Sequence, residues 1–541
     1  MNRFAAAYDS GTQTVVLLFF TFLVTCTLLL SVFAGPDRDD LAEFYTGYRT
    51  LTPFKNGLAI AGDYISAATV LSTTGIIALF GYDGFVLATS TGMSLVVLMF
   101  LLAEPLRNAG RFTMGDVFAR TMRGRSVRIA ASVVTLAACL PFLIVQLSGA
   151  GSLLTAILDI HLDGARTVSI AMIGTLMVVY AAMGGMRGTA LIQIIKIVML
   201  LGSSAVVAAL VMSRFGWSAD ALLRAAQAGS GAGEAYLRQG LELGRTTEGK
   251  LDFIGLQLTV VLGVACLPHV TMRLHSAPDA PAVRRSMSWA VGAVTTFCLL
   301  GTVMGAGAAA MVGARLITGA DPEGRTSVLM LARAFGEAAP SIGETLLYAA
   351  VCGTVFVTLL SSVSGLTLAA ASSLAHDLFG HAMRDGRAAP RTELAVARWA
   401  AVGVGAAAVA LAALVQDWNV AVMTTTALAI GASAVAPALT YSLFWRGFGR
   451  TGLLAALYGG TGCVLLLTVF STAVSGGPTA LFPDRDFHWF PLQTAGLVSI
   501  PFGFLAGWLG SRYDRRRRDG TAAESRRRYE AGEARLLAGA G

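Results

Sequence analysis

Residues 57–80 read GLAIAGDYISAATVLSTTGIIALF. The stretch is long and apolar enough to cross a bilayer as a helix, which takes about 20 residues. Yet it carries Asp63, two nearby glycines (Gly57 and Gly62), and hydroxyls at Ser66, Thr69, Ser72, Thr73 and Thr74. A carboxylate at the centre of a membrane helix costs about 2.5–3.5 kcal/mol on insertion scales, so such residues line cavities and pathways. Interrupted backbone is tolerated at that depth only where it is buried in protein or meets water. The pattern predicts a helix that serves a site for a small polar solute or an ion.

The rest of the chain is of the same kind. Its 541 residues are 55% hydrophobic and 13% charged, with mean hydropathy +0.67. A soluble domain of this size carries about twice that share of charge. Thirteen stretches qualify as spans: 12–34, 57–80, 85–106, 128–157, 165–184, 188–213, 253–276, 286–312, 341–375, 394–416, 419–446, 452–475 and 492–512. The fold class is therefore an all-α membrane protein with about thirteen transmembrane helices. The net charge of +8 does not point to nucleic acid, because the basic residues cluster in alternate loops and in the tail. That is the positive-inside pattern. It places Arg107, Arg111, Arg120, Arg123 and Arg125 inside, with Arg187, Arg273, Arg284, Arg285, Arg384, Arg387, Arg391, Arg446 and Arg450, and with the runs 515–518 and 526–528. The N-terminus is then outside and the C-terminus cytoplasmic. Segment 35–56 fits this poorly, since DRDD offsets its basic residues.

All six cysteines fall within spans, so no disulfide framework is expected. The first span is too long for the apolar core of a signal peptide and reads as a retained helix. Residues 1–513 form one transmembrane domain, followed by a basic cytoplasmic tail at 514–541. Of the two long loops, 214–252 carries a helical pattern at SADALLRAAQAG and 313–340 another at SVLMLARAFGEAAP. Two spans are weakened in their middles: 57–80, and 253–276, which holds Gly263 and Pro268–His269. They lie five spans apart. That spacing fits an inverted repeat of five plus five helices, with both broken helices meeting near the midplane.

The ninth span carries Thr358, Ser361, Ser362, Ser364 and Thr367 in one run. Thr358, Ser361 and Ser362 stand at i, i+3 and i+4 and share a helix face. Hydroxyl and carbonyl oxygens are hard ligands suited to alkali cations. With carbonyls freed at a break in 57–80, they suffice for a five-oxygen cage around Na⁺. The same small residues also serve helix–helix packing in membranes, so both readings stand.

The stretches NGLAIAGDYISAATVL, GYDG, AEPLRNAGRFTMGDV, AAMGGMRGTALIQIIK, CLPHVTMRLHSA and SGLTLAAASSLAHDLF resemble the sodium/solute symporter family. More narrowly they resemble its bacterial cation/acetate (monocarboxylate) permease branch. The resemblance runs from about residue 12 to 512. It implies a LeuT-like core of two inverted five-helix repeats, about 57–213 and 253–446, with one extra helix before and two after. It implies a sodium site formed by carbonyls of Gly62, Ile65 and Thr358 and hydroxyls of Ser361 and Ser362. Many relatives carry an acid soon after the GG pair in the fifth core helix, where this chain has Gln193, with Lys196 one turn later.

Lys196 has three readings: a lysine snorkelling toward the interface near Arg187, a partner for a substrate carboxylate or for Asp63, or a proton carrier in place of sodium. Asp63 is either a charge beside the cation site or a cap at a helix break. Ser66 and Thr69 would face the cavity, and Gln146 either contacts solute or caps a neighbouring helix. Together Asp63, Ser66, Thr69, Gln146 and Lys196 are the candidate substrate-binding residues; Thr89 and Ser90 are weaker ones. His269 and Arg273 are expected to fix a loop, Glu104 and Arg107 to pair at the interface, and His376–Asp377 to cap a helix. No catalytic constellation is visible, so an enzyme is not expected.

The function implied is sodium-coupled symport of a small monocarboxylate such as acetate, propionate or pyruvate, by alternating access in a bacterial-type inner membrane. Na⁺ is the coupling ion, no other cofactor is needed, and the partners are the carboxylate solute, Na⁺ and lipid. Proton-coupled uptake, or sodium symport of an amino acid, sugar or urea, are the alternatives.

Overall fold

The computed structural model describes residues 10–33, 40–122, 124–158, 164–335, 342–416, 418–477 and 480–517. Each of the thirteen stretches overlaps a helix among the described residues, with 165–184 and 188–213 sharing one. The first is α1 (Ser10–Phe33). The second is broken, into α2 (Pro53–Tyr64) and α3 (Ala67–Phe80). Then come α4 (Tyr82–Ala109), α5 (Arg125–Leu158) and α6 (Ala165–Arg214). The next is again broken, into α7 (Thr247–Ala265) and α8 (Pro268–Leu274). The chain continues through α9 (Ala280–Met311), α10 (Ile342–Met383), α11 (Pro390–Leu414), α12 (Val420–Phe444), α13 (Arg450–Val469) and α14 (Gly496–Arg517). Among the described residues, eight helices are by themselves long and apolar enough to cross a membrane, and ten when each bent pair is one span.

Sequence explains the breaks. The ladder of α2 ends at Ile65 N–H→Ala61 O and resumes at Val70 N–H→Ser66 O. Ile65 is extended (φ −80°, ψ 98°), and Ser66 caps α3 by accepting from Thr69 N–H. The two halves bend by 60°. In the other pair, Pro268 removes a donor at the first position of α8, and the bend is 41°. α6 joins what the sequence reads as two spans. Its continuity is interrupted at Gly185, whose φ of 51° and ψ of −159° are open to glycine and strained for other residues.

α10 is the most buried of the apolar helices and packs on α6, α5 and α1. Small residues permit these approaches. A Cβ on Gly62 would lie 2.5 Å from the Gln193 carbonyl oxygen, and one on Gly365 would lie 2.6 Å from Asp63 Oδ1. So α2 meets the backbone of α6 at Gly62, and α10 closes on the Asp63 carboxylate at Gly365, as small residues allow in lipid.

Three expectations are corrected here. His376–Asp377 is not a terminal cap: α10 continues to Met383 through a wider turn, and both residues are buried. Asp377 accepts from Arg128 Nη1 (2.6 Å), Thr113 Oγ1 (2.9 Å) and Ser373 Oγ (3.0 Å), while His376 Nδ1 meets Glu393 Oε1 at 2.7 Å. The pair thus ties α10 to α5 and α11. Glu104 pairs with Arg284 (3.1 Å) rather than with Arg107, which donates to the carbonyls of Ala277 and Pro278, both at 2.6 Å. Arg273 does not fix a loop, as its site shows below. The loop helices form at Ala219–Gly229 and Ser327–Ala334. The tail from 518 onward, with its basic runs, lies outside the described residues.

Candidate functional site

The break between α2 and α3 leaves the carbonyls of Gly62 to Ile65 without helical donors. Side chains from α6, α8 and α10 converge there. Asp63 is 4% exposed, and both its carboxylate oxygens are engaged. Arg273 Nε donates to Oδ2, and Gln193 Nε2 donates to Oδ1 at 2.5 Å. Arg273 completes its fork on Thr189 Oγ1 and the Met186 carbonyl (3.0 and 3.2 Å). Gln193 Nε2 also reaches the Ser361 carbonyl at 3.0 Å. A buried guanidinium shared between a carboxylate and neutral acceptors satisfies most of its fixed donors, which makes its burial tolerable.

Lys196 stands one turn beyond Gln193 on α6 and is 0% exposed. Its Nζ donates to Gly62 O at 2.6 Å and to Ser362 Oγ at 3.1 Å. The hydroxyls of Ser361 and Ser362 in turn donate to the Thr358 carbonyl at 3.1 and 2.8 Å. The five oxygens predicted for a cation thus lie along the facing segments of α2 and α10. They fit Na⁺ in donor type. Two of them are bonded to an ammonium.

Beside this network is a cavity of about 110 Å³. Asp63, Tyr64, Ser66 and Thr69 line it at the break, with Phe142 of α5 and His269 of α8 across from them. Ser72 and Thr73 of α3, Thr91 of α4, Ser362 of α10 and Thr424 of α12 add hydroxyls, and Val260, Val264, Leu267, Leu366 and Leu428 add apolar wall. The first turn of α3, where a helix dipole is positive, therefore opens on the cavity. Its wall is the mix of apolar surface and a few placed polar groups typical of small-ligand sites.

The pattern of the sodium:solute symporter family matches residues 44–460. A monocarboxylic acid transporter of Corynebacterium glutamicum is 38% identical over 499 residues, 90% of this chain and 89% of that one. The chain belongs to the sodium:solute symporter family. An uncharacterized symporter of Bacillus subtilis, YwcA, is 36% identical over 497 residues, 91% of this chain and 93% of that one. Among solved structures, a substrate-bound, outward-open Na⁺-coupled sialic acid symporter superposes with TM-score 0.67 at 13% identity, covering 92% of this chain and 97% of that one. MhsT in complex with L-phenylalanine gives TM-score 0.51 at 14% identity, covering 84% and 98%. These likenesses establish a LeuT-like fold. The protein is a multi-pass membrane transporter of the secondary class and not an enzyme.

Within this symporter, the residues singled out from sequence divide into three groups. Asp63, Ser66 and Thr69 line the cavity. Gln146 does not: it is 1% exposed on α5, one turn from the lining residue Phe142, and neither amide atom has a protein partner. Lys196 also lies off the cavity, on the oxygens predicted for the cation, so it does not snorkel. Thr89 is exposed and bonds to its own helix at Phe85 O. Sequence reasoning missed Arg273 as the partner of Asp63 and Gln193 as the bridge between α2 and α10. The available signal was a charge four residues after His269 in an apolar run, and a glutamine three before Lys196.

Proposed function

We propose that the protein carries a small monocarboxylate, of the size of acetate, propionate or pyruvate, together with Na⁺ by alternating access. The observation that carries the solute class is the make-up of the buried cluster. It holds two basic side chains, Lys196 and Arg273, and one carboxylate, Asp63. One monoanion in the adjoining cavity offsets the surplus. The first turn of α3, capped by Ser66 and carrying Thr69, gives that anion amide and hydroxyl donors. Asp63 does not repel it strongly, because both its oxygens are already engaged. The small cavity disfavours a sugar or an aromatic amino acid. The name of the Corynebacterium relative agrees with this solute class.

Gly62, Ile65, Thr358, Ser361 and Ser362 are the residues to hold Na⁺, which would supply positive charge at the junction of α2 and α10. In this reading residues 1–513 act as one transport unit, with core repeats at 57–213 and 253–446 and a cytoplasmic tail at 514–541. The N-terminus faces outward, in a plasma membrane of bacterial type.

The test is uptake of labelled acetate, propionate and pyruvate by proteoliposomes, with unlabelled acids, amino acids and sugars as competitors. Saturable uptake, blocked by short monocarboxylates and lost in Thr69→Val, is expected. Uptake blocked by amino acids or sugars and indifferent to monocarboxylates would remove the solute assignment.

A further inference from the structure

Lys196 is fully buried, and its ammonium lies on the oxygens of two different helices, Gly62 O of α2 and Ser362 Oγ of α10. Both oxygens belong to the set assigned above to the coupling cation. An ammonium is a compact point charge with three donors on a flexible four-carbon stem. It approaches the same lone pairs that an alkali cation takes. A Na⁺ bound by Gly62 O and Ser362 Oγ would therefore stand against Nζ itself, and two like charges at contact in a buried site repel strongly.

The manner in which Lys196 is held matters as much as its position. Its hydrogen-bond partners are a carbonyl and a hydroxyl, both neutral. The nearby carboxylate, Asp63, is committed to Arg273 and Gln193. Among the described residues no ion pair to Lys196 is formed. Hydrogen bonds from an ammonium to neutral oxygens are weaker than those to a carboxylate, so the amine can leave without breaking an ion pair. Gln193, one turn earlier, keeps α6 in register against α2 and α10 through Asp63 Oδ1 and Ser361 O. Exchange of Nζ for an ion therefore asks only the stem to move, with α6 held by Gln193.

We propose that the Lys196 ammonium is a tethered occupant of the coupling-cation site, so that Nζ and a free Na⁺ exclude one another on Gly62 O and Ser362 Oγ. The inference rests on reading those oxygens as the cation site, and it concerns what occupies them rather than which solute is carried. Its consequence is a graded site. Na⁺ binds only to the fraction of molecules whose lysine has swung away, and its apparent affinity is reduced by that fraction. Removing the amine should unmask the intrinsic affinity.

The experiment uses the purified full-length protein in detergent. Na⁺ is titrated against choline at constant ionic strength, and both ²²Na⁺ binding and the thermal unfolding midpoint are read. In Lys196→Met the half-saturating Na⁺ concentration is expected to fall at least tenfold below that of the unaltered protein. An unchanged or higher half-saturation in a folded, monodisperse Lys196→Met overturns the proposal, and so does absence of Na⁺ binding in both proteins.

If the variant does not fold, cryo-electron microscopy of the unaltered protein in choline and in saturating Na⁺ decides. Nζ in place in choline, and in saturating Na⁺ an ion on Gly62 O with Nζ displaced, is the expected exclusion; saturating Na⁺ with no ion on Gly62 O overturns it. An ion on Gly62 O and Ser362 Oγ with Nζ still bonded to both overturns it. Uptake of labelled monocarboxylate, measured separately, shows whether the transport reading stands when this one fails.

Discussion

At the scale of single residues, the pair Asp63–Arg273 is the strongest commitment in the molecule. Both side chains are 2% exposed, on helices whose breaks face one another. Removing the charge of Asp63 leaves a buried guanidinium without its counter-ion, a loss of about 3–5 kcal/mol where such pairs have been cut. Asp63→Asn should therefore lower the thermal midpoint by many degrees in detergent; a midpoint equal to the parent's would mean that Arg273 finds another partner. Ser66 plays a smaller part. It caps α3 and lines the cavity, so Ser66→Ala should cost about 1 kcal/mol of stability and also raise the KM for solute. A stability loss with KM unchanged would reduce Ser66 to a cap.

At the scale of elements, the architecture depends on two glycines that let three helices close around the side chains of Asp63, Gln193 and Lys196. Gly365 faces Asp63 Oδ1, and Gly62 faces the Gln193 carbonyl. In Gly365→Ala the new methyl group must push the carboxylate off Gln193. Transport should fall at least tenfold while the protein still reaches the membrane; full activity would show that α2 and α10 separate easily. The broken helix itself was legible in sequence, because Asp63 and Gly62 interrupt an apolar run. The oxygens of α10 were legible from their i, i+3, i+4 spacing. Arg273 was not, since hydropathy places it at the inner end of its span, and only the 41° bend between α7 and α8 carries it to Asp63. Lys196 misled for a related reason. Nine residues from exposed Arg187 along one helix, it looks able to reach the interface, yet the packing of α6 on α2 and α10 closes that route. The role of His376 and Asp377 was hidden because hydropathy falls where α10 continues.

At the scale of the whole molecule, transport requires the two ends of the bundle to open in alternation, so contacts that close an end set its rate. The connection between α6 and α7 is itself pinned to the bundle by polar contacts. Glu242 there donates its N–H to Asp83 Oδ2 at 2.8 Å, and Gly240 N–H reaches Oδ1 at 2.7 Å. Burial, and then the charge of Asp83, push the Glu242 carboxyl up to about 7. Its folded pKa is thus above the unfolded value of about 4.3. The contribution of Glu242 to stability is full below the unfolded pKa and is lost as pH rises through about 7. Hydrogen exchange of residues 238–246 should accordingly be faster at pH 8 than at pH 6, beyond the intrinsic chemical difference, and Glu242→Gln should flatten that dependence. Equal protection at both values would show that the carboxyl does not titrate between them.

Transport, in the function proposed, couples a cation gradient to the movement of a small monocarboxylate. It is tested most directly by proteoliposomes containing the purified protein, loaded with Na⁺-free buffer and given labelled propionate at fixed pH with Na⁺ or choline outside. Transient accumulation above the external concentration with Na⁺, collapse of that overshoot when the Na⁺ gradient is dissipated, and its loss in Ser361→Ala are expected. Uptake that is the same in choline, or that never exceeds equilibrium and is indifferent to Ser361→Ala, would contradict it.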